Sequence, residues 1–238
     1  MDPELSIVAP AFDEEENLEP LYERVRASLD GLLTWELVLV DDGSRDDSAA
    51  VIRRLVERDS RVRGVLLERN SGQTAATFAG IRVASGGIIA TIDADLQNDP
   101  ADLPGMVRLL GDADSVVGYR VDRQDTFVRR ASSRIANAVR NRVSGDVVRD
   151  TGCSLKVFRA PAIRSVPVFE GMHRFLPTLL RQRGYRVLEF PVHHHPRRAG
   201  RSKYGISNRA LRASVDLLAV RWMKSRLVDG AVKEVVER

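Results

Sequence analysis

Within the first hundred or so residues, four short apolar runs each stop at a polar loop, and each gives way to apolar residues at helical spacing. Residues 5–9 are the first run and end at Pro10; Leu18, Leu21, Val25, Leu29 and Leu32 then fall at the three- and four-residue steps of one helix face. Residues 36–40 are the second and end in Asp41-Asp42-Gly43-Ser44. There Ser44, with Asp47 three residues on, predicts a cap for a helix carrying Ala49, Ile52 and Leu55. Residues 62–67 and 87–92 are the third and fourth runs, with an alanine-rich helix over 73–84 between them. After the fourth, Pro100 opens a helix with Leu103, Met106, Val107 and Leu110, and residues 115–119 read as another strand. This alternation predicts an α/β fold, a mixed but mainly parallel sheet flanked by helices on both faces.

Ligands of such sheets sit at the carboxyl ends of the strands. Here those ends carry residues 10–14, 41–42, 70–73 and 93–97, and three of the four are acidic. Beyond Tyr119 the pattern predicts a basic helix over 129–143, a strand over 154–158, a helix over 170–183 and a strand over 186–193. Pro191 makes that last strand an edge. A polar loop over 196–204 precedes a final helix, and no linker or repeat divides the chain.

The formal charge of +4 is segregated. Residues 1–119 hold 11 Lys+Arg against 23 Asp+Glu, net −12, and residues 120–238 hold 26 against 10, net +16. Arginine supplies 33 of the 37 cations, which suits bidentate grip on phosphate. An acidic half facing a basic half predicts a cation and phosphates meeting between them. It also argues against nucleic acid, since the acidic half would repel a polyanion lying across both and aromatics are only 5%. No run approaches the ~18 apolar residues of a membrane span. The opening Met-Asp-Pro-Glu lacks the basic and apolar regions of a secretion signal, so the expected compartment is the cytoplasm. A single cysteine, Cys153, excludes an internal disulfide and a cysteine-built zinc site. Neither a Gly-x-Gly-x-x-Gly turn after a strand nor a Gly-Lys-Ser/Thr loop is present, which removes dinucleotide and P-loop chemistry.

Asp93-Ala94-Asp95 sets two carboxylates on the turn after an apolar strand. With the Gln97 carbonyl they can converge on one hard cation, and oxygen-only donors with an open shell suit Mg2+ or Mn2+. In isolation the tripeptide is as readily a turn whose aspartates cap the next helix. Asp42 closes an earlier strand of the same type, where a carboxylate can accept from a base or ribose, or serve as turn and cap.

Five motifs then occur in order: Pro10-Ala-Phe12-Asp-Glu14-Glu-Glu-Asn17, Val40-Asp-Asp42-Gly-Ser44, Asn70-Ser-Gly72-Gln73, Asp93-Ala-Asp95-Leu-Gln97, and Arg197-Arg-Ala-Gly200-Arg-Ser202-Lys203-Tyr. Together they span almost the whole chain and resemble family 2 glycosyltransferases of GT-A (Rossmann-like) fold. Within that family they resemble the polyprenyl-phosphate glycosyltransferases typified by dolichol-phosphate mannose synthase. The resemblance implies inverting transfer of one sugar from a nucleotide-sugar to a lipid phosphate at the cytoplasmic face of the cell membrane. By position it places Pro10, Phe12, Glu14, Val40 and Asp42 on the nucleotide, with Gln73 and Ala94 near the donor, and Asp93, Asp95 and Gln97 on the metal. It places Arg197, Ser202 and Lys203 on the donor diphosphate, and Arg120, Arg129 and Ser133 on the acceptor phosphate. Asp95, Arg120, Arg197 and Lys203 would then carry catalysis. Residues 1–205 become the GT-A domain, with a nucleotide and metal half (1–119) and an acceptor half (120–205), followed by an amphipathic, basic segment (206–238).

The sequence departs from the family where Phe12-Asp13 replaces Tyr-Asn and where Gln97-Asn98-Asp99-Pro100 replaces Gln-His-Pro-Pro. The first change removes a hydroxyl and leaves stacking. A lipid monophosphate, with a second pKa of about 6, is already a nucleophile at neutral pH and needs positioning, not a base. A hydroxyl acceptor would need a carboxylate base, and Asp150 is the foremost candidate among Asp122, Asp125, Asp146, Glu170 and Glu189. His193-His194-His195 would alternate faces in a strand and cannot chelate one ion, which predicts contacts to the donor or acceptor loops. His173 is read as a helix-surface or pocket residue. Leu211, Val215, Leu218 and Trp222 form one stripe flanked by Arg209, Arg212, Arg221, Lys224 and Arg226. Such a helix fits anionic lipid, or docking on its own domain, a membrane partner protein or a second subunit of a homodimer. Many relatives continue into transmembrane helices where this chain stops, so the expectation is peripheral membrane contact, contact through a partner, or a sequence that is a piece of a longer chain. Two rivals stand beside the lipid-phosphate reading: transfer to a glycan or small-molecule hydroxyl, and a nucleotide-binding protein of the membrane surface without turnover.

Overall fold

The structure, a computed structural model, describes residues 2–121, 148–196 and 206–226, with the side chains of the last segment described from residue 215. The predicted helix over 129–143 and the site residues Arg129, Ser133, Arg197, Ser202 and Lys203 lie outside the described residues, as do Asp122, Asp125 and Asp146.

The predicted alternation forms. In order the chain makes β1 (Leu5–Ala11), α1 (Glu15–Leu29), β2 (Trp35–Asp41), α2 (Ser48–Arg58), β3 (Val62–Leu66), α3 (Gln73–Val83), β4 (Ile88–Thr91), α4 (Leu103–Leu110) and β5 (Ser115–Arg120). Then come β6 (Lys156–Arg159), α5 (Ala160–Arg164), α6 (Leu176–Gln182), β7 (Val187–Val192) and α7 (Ile206–Lys224). The sheet order is β3-β2-β1-β4-β6-β5-β7. β1, β2, β3 and β4 pair in parallel, as do β5 and β7, while β6 runs antiparallel to both of its neighbours. Proline costs β7 a ladder donor at Pro191, and the strand lies at the sheet edge, paired only with β5.

Strand alternation splits the core in two. Leu5, Ile7 and Ala9 of β1 with Leu37 and Leu39 of β2 pack under α1, α2 and α4. Val8, Val38, Val40, Ile89 and Phe158 face the other way, against Ile81 of α3, Ile163 of α5 and Leu179 of α6. Contact with α3 is close because Gly80 has no side chain; a Cβ there would lie 2.4 Å from Val8 Cγ1.

Three local expectations are corrected. Ser44 does not cap α2, which starts at Ser48 after Asp47; its hydroxyl accepts from the Asp13 amide at 2.9 Å instead. The helix expected over 170–183 is broken into a 3-10 turn, Met172–Arg174, and α6. Pro177 fits the first turn of a helix, where no intrahelical N–H bond is due, but not the interior of one begun at 170. The helix α5 was not expected at all. At the C-terminal end, α7 docks through buried Val220 with Leu217 and Met223, not through the predicted stripe. Val215, Leu218 and Trp222 are about 60% exposed.

Candidate active site

The loops after β1 and β2 and the loop before α3 are tied together by main-chain donors. Asp13, at φ +50°, accepts from the Arg45 amide at 2.8 Å, and the Glu14 amide donates to Ser48 Oγ at 3.0 Å. Gly43 lets the next loop approach, since a Cβ at this φ of +68° would lie 2.5 Å from the Arg69 carbonyl carbon. Asp42 then holds that loop: its carboxylate accepts from the amides of Ser71 at 2.7 Å and Gly72 at 2.9 Å. The next residue, Gln73, begins α3, and its Nε2 donates to Asp93 Oδ1 at 2.8 Å. A continuous set of bonds thus runs from the β2 terminus to the first predicted metal ligand.

The other wall comes from β6. Because β6 is antiparallel, its start lies beside the end of β4, with Lys156 opposite Thr91. Ser154 Oγ accepts from the Asp93 amide at 3.2 Å and from Asn98 Nδ2 at 2.7 Å. Lys156, buried at 4% exposure, donates from Nζ to the Cys153 carbonyl. Burial and then the Asp95 charge push the Asp93 carboxyl up to about 6, against the opposing pull of the Ser154 hydroxyl, the Lys156 cation and Gln73. Burial also lowers the Lys156 ammonium from its ordinary value. Asp95 Oδ1 accepts from the Gln97 amide at 3.2 Å across Leu96, which sits at φ +62°.

The histidine triplet straps this loop. The His195 amide donates to the Gln97 carbonyl at 2.8 Å, and Asn98 and His194 form an antiparallel bridge. His195 Nε2 lies 2.9 Å from Asp99 Oδ2, and His193 places both its amide and Nδ1 2.8 Å from Asp102. β7 ends at Val192, so the triplet lies beyond the strand that was expected to contain its first member.

The structure brings Gln73, Asp93, Asp95 and Gln97 together, with Pro10 beside Gln73 and Asp93 around a small cavity. Phe12 and Glu14 stand half-buried at the β1 end, where Glu14 Oε2 accepts from Asn17 Nδ2 at 2.6 Å. Val40 and Ala94 are buried in the core, so the nucleotide contacts expected of them are open only to their backbones. Arg120, at the end of β5, is not part of this cluster. Its guanidinium is bidentate on Asp150, at 2.6 and 2.9 Å, and Asp150 also accepts from the Gly152 amide. His173 does line the cavity, 2.8 Å from Thr74 Oγ1 through Nδ1. Sequence reasoning missed Ser154, Lys156 and Asn98. The available signal was two polar residues, 154 and 156, at alternate positions of an otherwise apolar strand, which shares one face.

Among the described residues no three carboxylate, imidazole or thiolate groups cluster as a metal cage. What stands here is an open pair, Asp93 and Asp95, with Gln97 beside it. Two adjacent acidic groups, one of them raised by burial and by the charge of the other, fit a divalent cation that completes its shell from substrate oxygens and water.

Residues 6–166 match the family model for glycosyl transferase family 2. The chain is 46% identical over 224 residues to the dodecaprenyl-phosphate galacturonate synthase of Rhizobium johnstonii, covering 91% of this chain and 66% of that protein. It is 40% identical over 205 residues to the undecaprenyl-phosphate 4-deoxy-4-formamido-L-arabinose transferase of Edwardsiella ictaluri, covering 85% and 63%. The chain therefore spans just under two thirds of the length of these curated relatives. Among solved structures, glucosyl-3-phosphoglycerate synthase of Mycobacterium tuberculosis with Mn2+, uridine diphosphate and glucosyl-3-phosphoglycerate superposes with a TM-score of 0.69. That match has 19% identity and covers 96% of this chain and 82% of the other. A mannosyltransferase of Pyrobaculum calidifontis with GDP-mannose and Mn2+ gives 0.65 at 18% identity, covering 98% and 66%. At such identities the two structures speak to fold alone, and the fold is GT-A. With the family model covering most of the sheet, the chain belongs to glycosyl transferase family 2.

Proposed function

We propose that this chain transfers a single sugar, with inversion, from a nucleoside-diphosphate sugar such as GDP-mannose or a UDP-hexose to a polyprenyl phosphate. The observation that carries this reading is the acidic pair Asp93 and Asp95 at the carboxyl end of β4, with Gln73 and Ser154 fixed on the first of them. The two relatives named for dodecaprenyl- and undecaprenyl-phosphate products support the acceptor. Asp93, Asp95 and Gln97 would hold Mg2+ or Mn2+, which when bound neutralises a departing diphosphate.

The chain's own residues supply orientation. The loop clamped by Asp42 shapes the nucleoside side of the cleft beside Pro10, Phe12 and Glu14. By resemblance, Arg197, Ser202 and Lys203 grip the donor diphosphate, and Arg129 and Ser133 join Arg120 on the acceptor. An incoming phosphate would share Arg120 with Asp150. That same ion pair weakens the hydroxyl-acceptor reading, because Asp150, its foremost base, has both oxygens engaged by Arg120 and one of them by the Gly152 amide as well. No helix among the described residues is long and apolar enough to cross a membrane. We place the chain on the cytoplasmic membrane face, with the exposed Val215, Leu218 and Trp222 of α7 toward lipid or a membrane partner.

Incubation of the purified chain with Mn2+, polyprenyl phosphate and labelled nucleotide-sugars tests the reading. Labelled product in the organic phase that disappears with Asp95→Asn is expected. Product found only in the aqueous phase would overturn the lipid acceptor, and no transfer from any donor would overturn the enzyme.

A further inference from the structure

Asn98 follows the Asp93-Ala94-Asp95 turn and is 4% exposed, so its amide must find its partners inside the fold. It finds them on the segment that leads into β6. Asn98 Nδ2 donates to Ser154 Oγ at 2.7 Å, and Asn98 Oδ1 accepts from the Cys153 thiol at 3.6 Å. Burial pushes the Cys153 thiol up, so it keeps its proton, which is shared between Asn98 Oδ1 and the Leu155 carbonyl at 3.8 Å. The reverse amide orientation would aim N–H groups at sulfur, a weak acceptor, and is the poorer arrangement.

The consequence falls on Ser154. A serine hydroxyl has two acceptor lone pairs and one proton. Both lone pairs are taken, one by Asn98 Nδ2 and one by the Asp93 amide at 3.2 Å. The proton is left to be donated, and the group it meets is the Asp93 carboxylate, whose ionised form it favours. Thr91 Oγ1 donates to the Ser154 carbonyl at 2.8 Å and so fixes the backbone from which the hydroxyl turns. A directional chain therefore runs from the Cys153 thiol through Asn98 and Ser154 to Asp93. Gln73 Nε2 adds a second donor, to Asp93 Oδ1 at 2.8 Å.

We propose that Asn98 is a positioning residue of the cation site: by filling a lone pair of Ser154 it turns the serine proton onto Asp93 and holds that carboxylate in place beside Asp95. The inference rests on the reading above in which Asp93 and Asp95 hold Mg2+ or Mn2+. With both donors engaged, the Asp93 carboxylate can turn away only by breaking two hydrogen bonds, so ordering that a cation would otherwise have to impose is already made in the fold. Without the Asn98 donor the serine hydroxyl is free to give its proton to another acceptor, and Asp93 loses a bond to its charged form.

Mn2+ binding in the presence of UDP, followed by the electron paramagnetic resonance signal of free Mn2+, tests this with a readout other than turnover. Asn98→Leu, close in size and without an N–H to give, should weaken Mn2+ about tenfold, the worth of one hydrogen bond to a charged group. Ser154→Ala should weaken it by a similar factor. The double variant is decisive: once the Ser154 hydroxyl is gone, Asn98→Leu has nothing left to orient, so the pair should lose no more than Ser154→Ala alone. A residue that merely fills space would add its own loss to its neighbour's. Losses that multiply to about a hundredfold, or wild-type Mn2+ affinity in Asn98→Leu, would refute the inference and leave the metal reading standing. A wild-type chain that takes up no Mn2+ with UDP would remove that reading and this one together. If Asn98→Leu does not fold, Ser154→Ala decides: unchanged Mn2+ affinity would sink the inference, and an about tenfold loss would uphold its last link.

Discussion

Replacing Asp42 with asparagine separates two tasks the residue can perform, clamping a loop and meeting a nucleoside. In the fold its carboxylate is 4% exposed and accepts from the Ser71 and Gly72 amides at 2.7 and 2.9 Å. Burial raises the Asp42 pKa, helped by the Asp41 charge, and the two amides only partly offset it. For a carboxyl raised above its unfolded value of about 3.9, the stabilising contribution is fully present below that value and is lost as pH rises through the folded one. At pH 7 the charge itself is therefore a burden, and removing it costs nothing. The cost of Asp42→Asn comes from geometry: the amide oxygen keeps one N–H, and the amide nitrogen faces the other, leaving a buried donor unmet at about 1–3 kcal/mol. Relief of the buried charge offsets part of this, for a net loss of about 1–2 kcal/mol. In a chain of this size that lowers Tm by about 2–8 °C. Urea unfolding and calorimetry with UDP measure both effects, and UDP affinity should fall about tenfold as the loop leading into Gln73 relaxes, by roughly 1.4 kcal/mol. A loss above about 3 kcal/mol would refute the reasoning, because it would mean the ionised charge is itself stabilising, as in a buried ion pair. Unchanged UDP affinity would remove Asp42 from the nucleotide site.

Gly80→Ala drives a Cβ to 2.4 Å from Val8 Cγ1 and 2.9 Å from Val40 Cγ2, so α3 must shift; we expect a loss of about 1–3 kcal/mol in thermal unfolding together with weaker UDP binding through Gln73. Asp59 is held well below the usual carboxylate range by the Arg61 fork, with Tyr22 adding a bond at 2.9 Å. Its contribution is present above the unfolded value near 3.9 and lost as pH falls through the folded one. With Arg61 39% exposed and screened, Asp59→Asn should cost about 1 kcal/mol at pH 7 and flatten the acid limb of stability against pH, as followed by circular dichroism. Glu36, at the opposite sheet end from the site, accepts from Ser6 Oγ, the Ser85 amide and Ser85 Oγ at 2.6, 2.6 and 2.8 Å. Glu36→Ala leaves these buried donors unmet and should cost about 1–3 kcal/mol in urea unfolding while leaving UDP affinity unchanged in calorimetry.

The parts of this molecule legible in the sequence are those written in short-range period. β1 to β4 and their helices follow from apolar spacing, and Asp93 and Asp95 follow because they sit on the turn that ends a buried run. What spacing does not carry is the sense and place of a strand. Residues 154–158 read as a strand, but nothing local says that β6 inserts antiparallel between β4 and β5. That long-range pairing sets Ser154 and Lys156 beside Asp93, so both were missed. The split of charge at Tyr119 meets the same limit. It predicts acidic residues for a cation and basic ones for phosphate. Yet Lys156, from the basic half, lies buried near Asp93 of the acidic half, while Arg120 is committed to Asp150 of its own half. Interaction in a protein interior falls with distance and with the water left between charges, so two neighbours outweigh sums taken over a hundred residues. The charge and hydrogen bonding beside Asp93 are then a property of one strand pairing, which no sum of charge over either half carries.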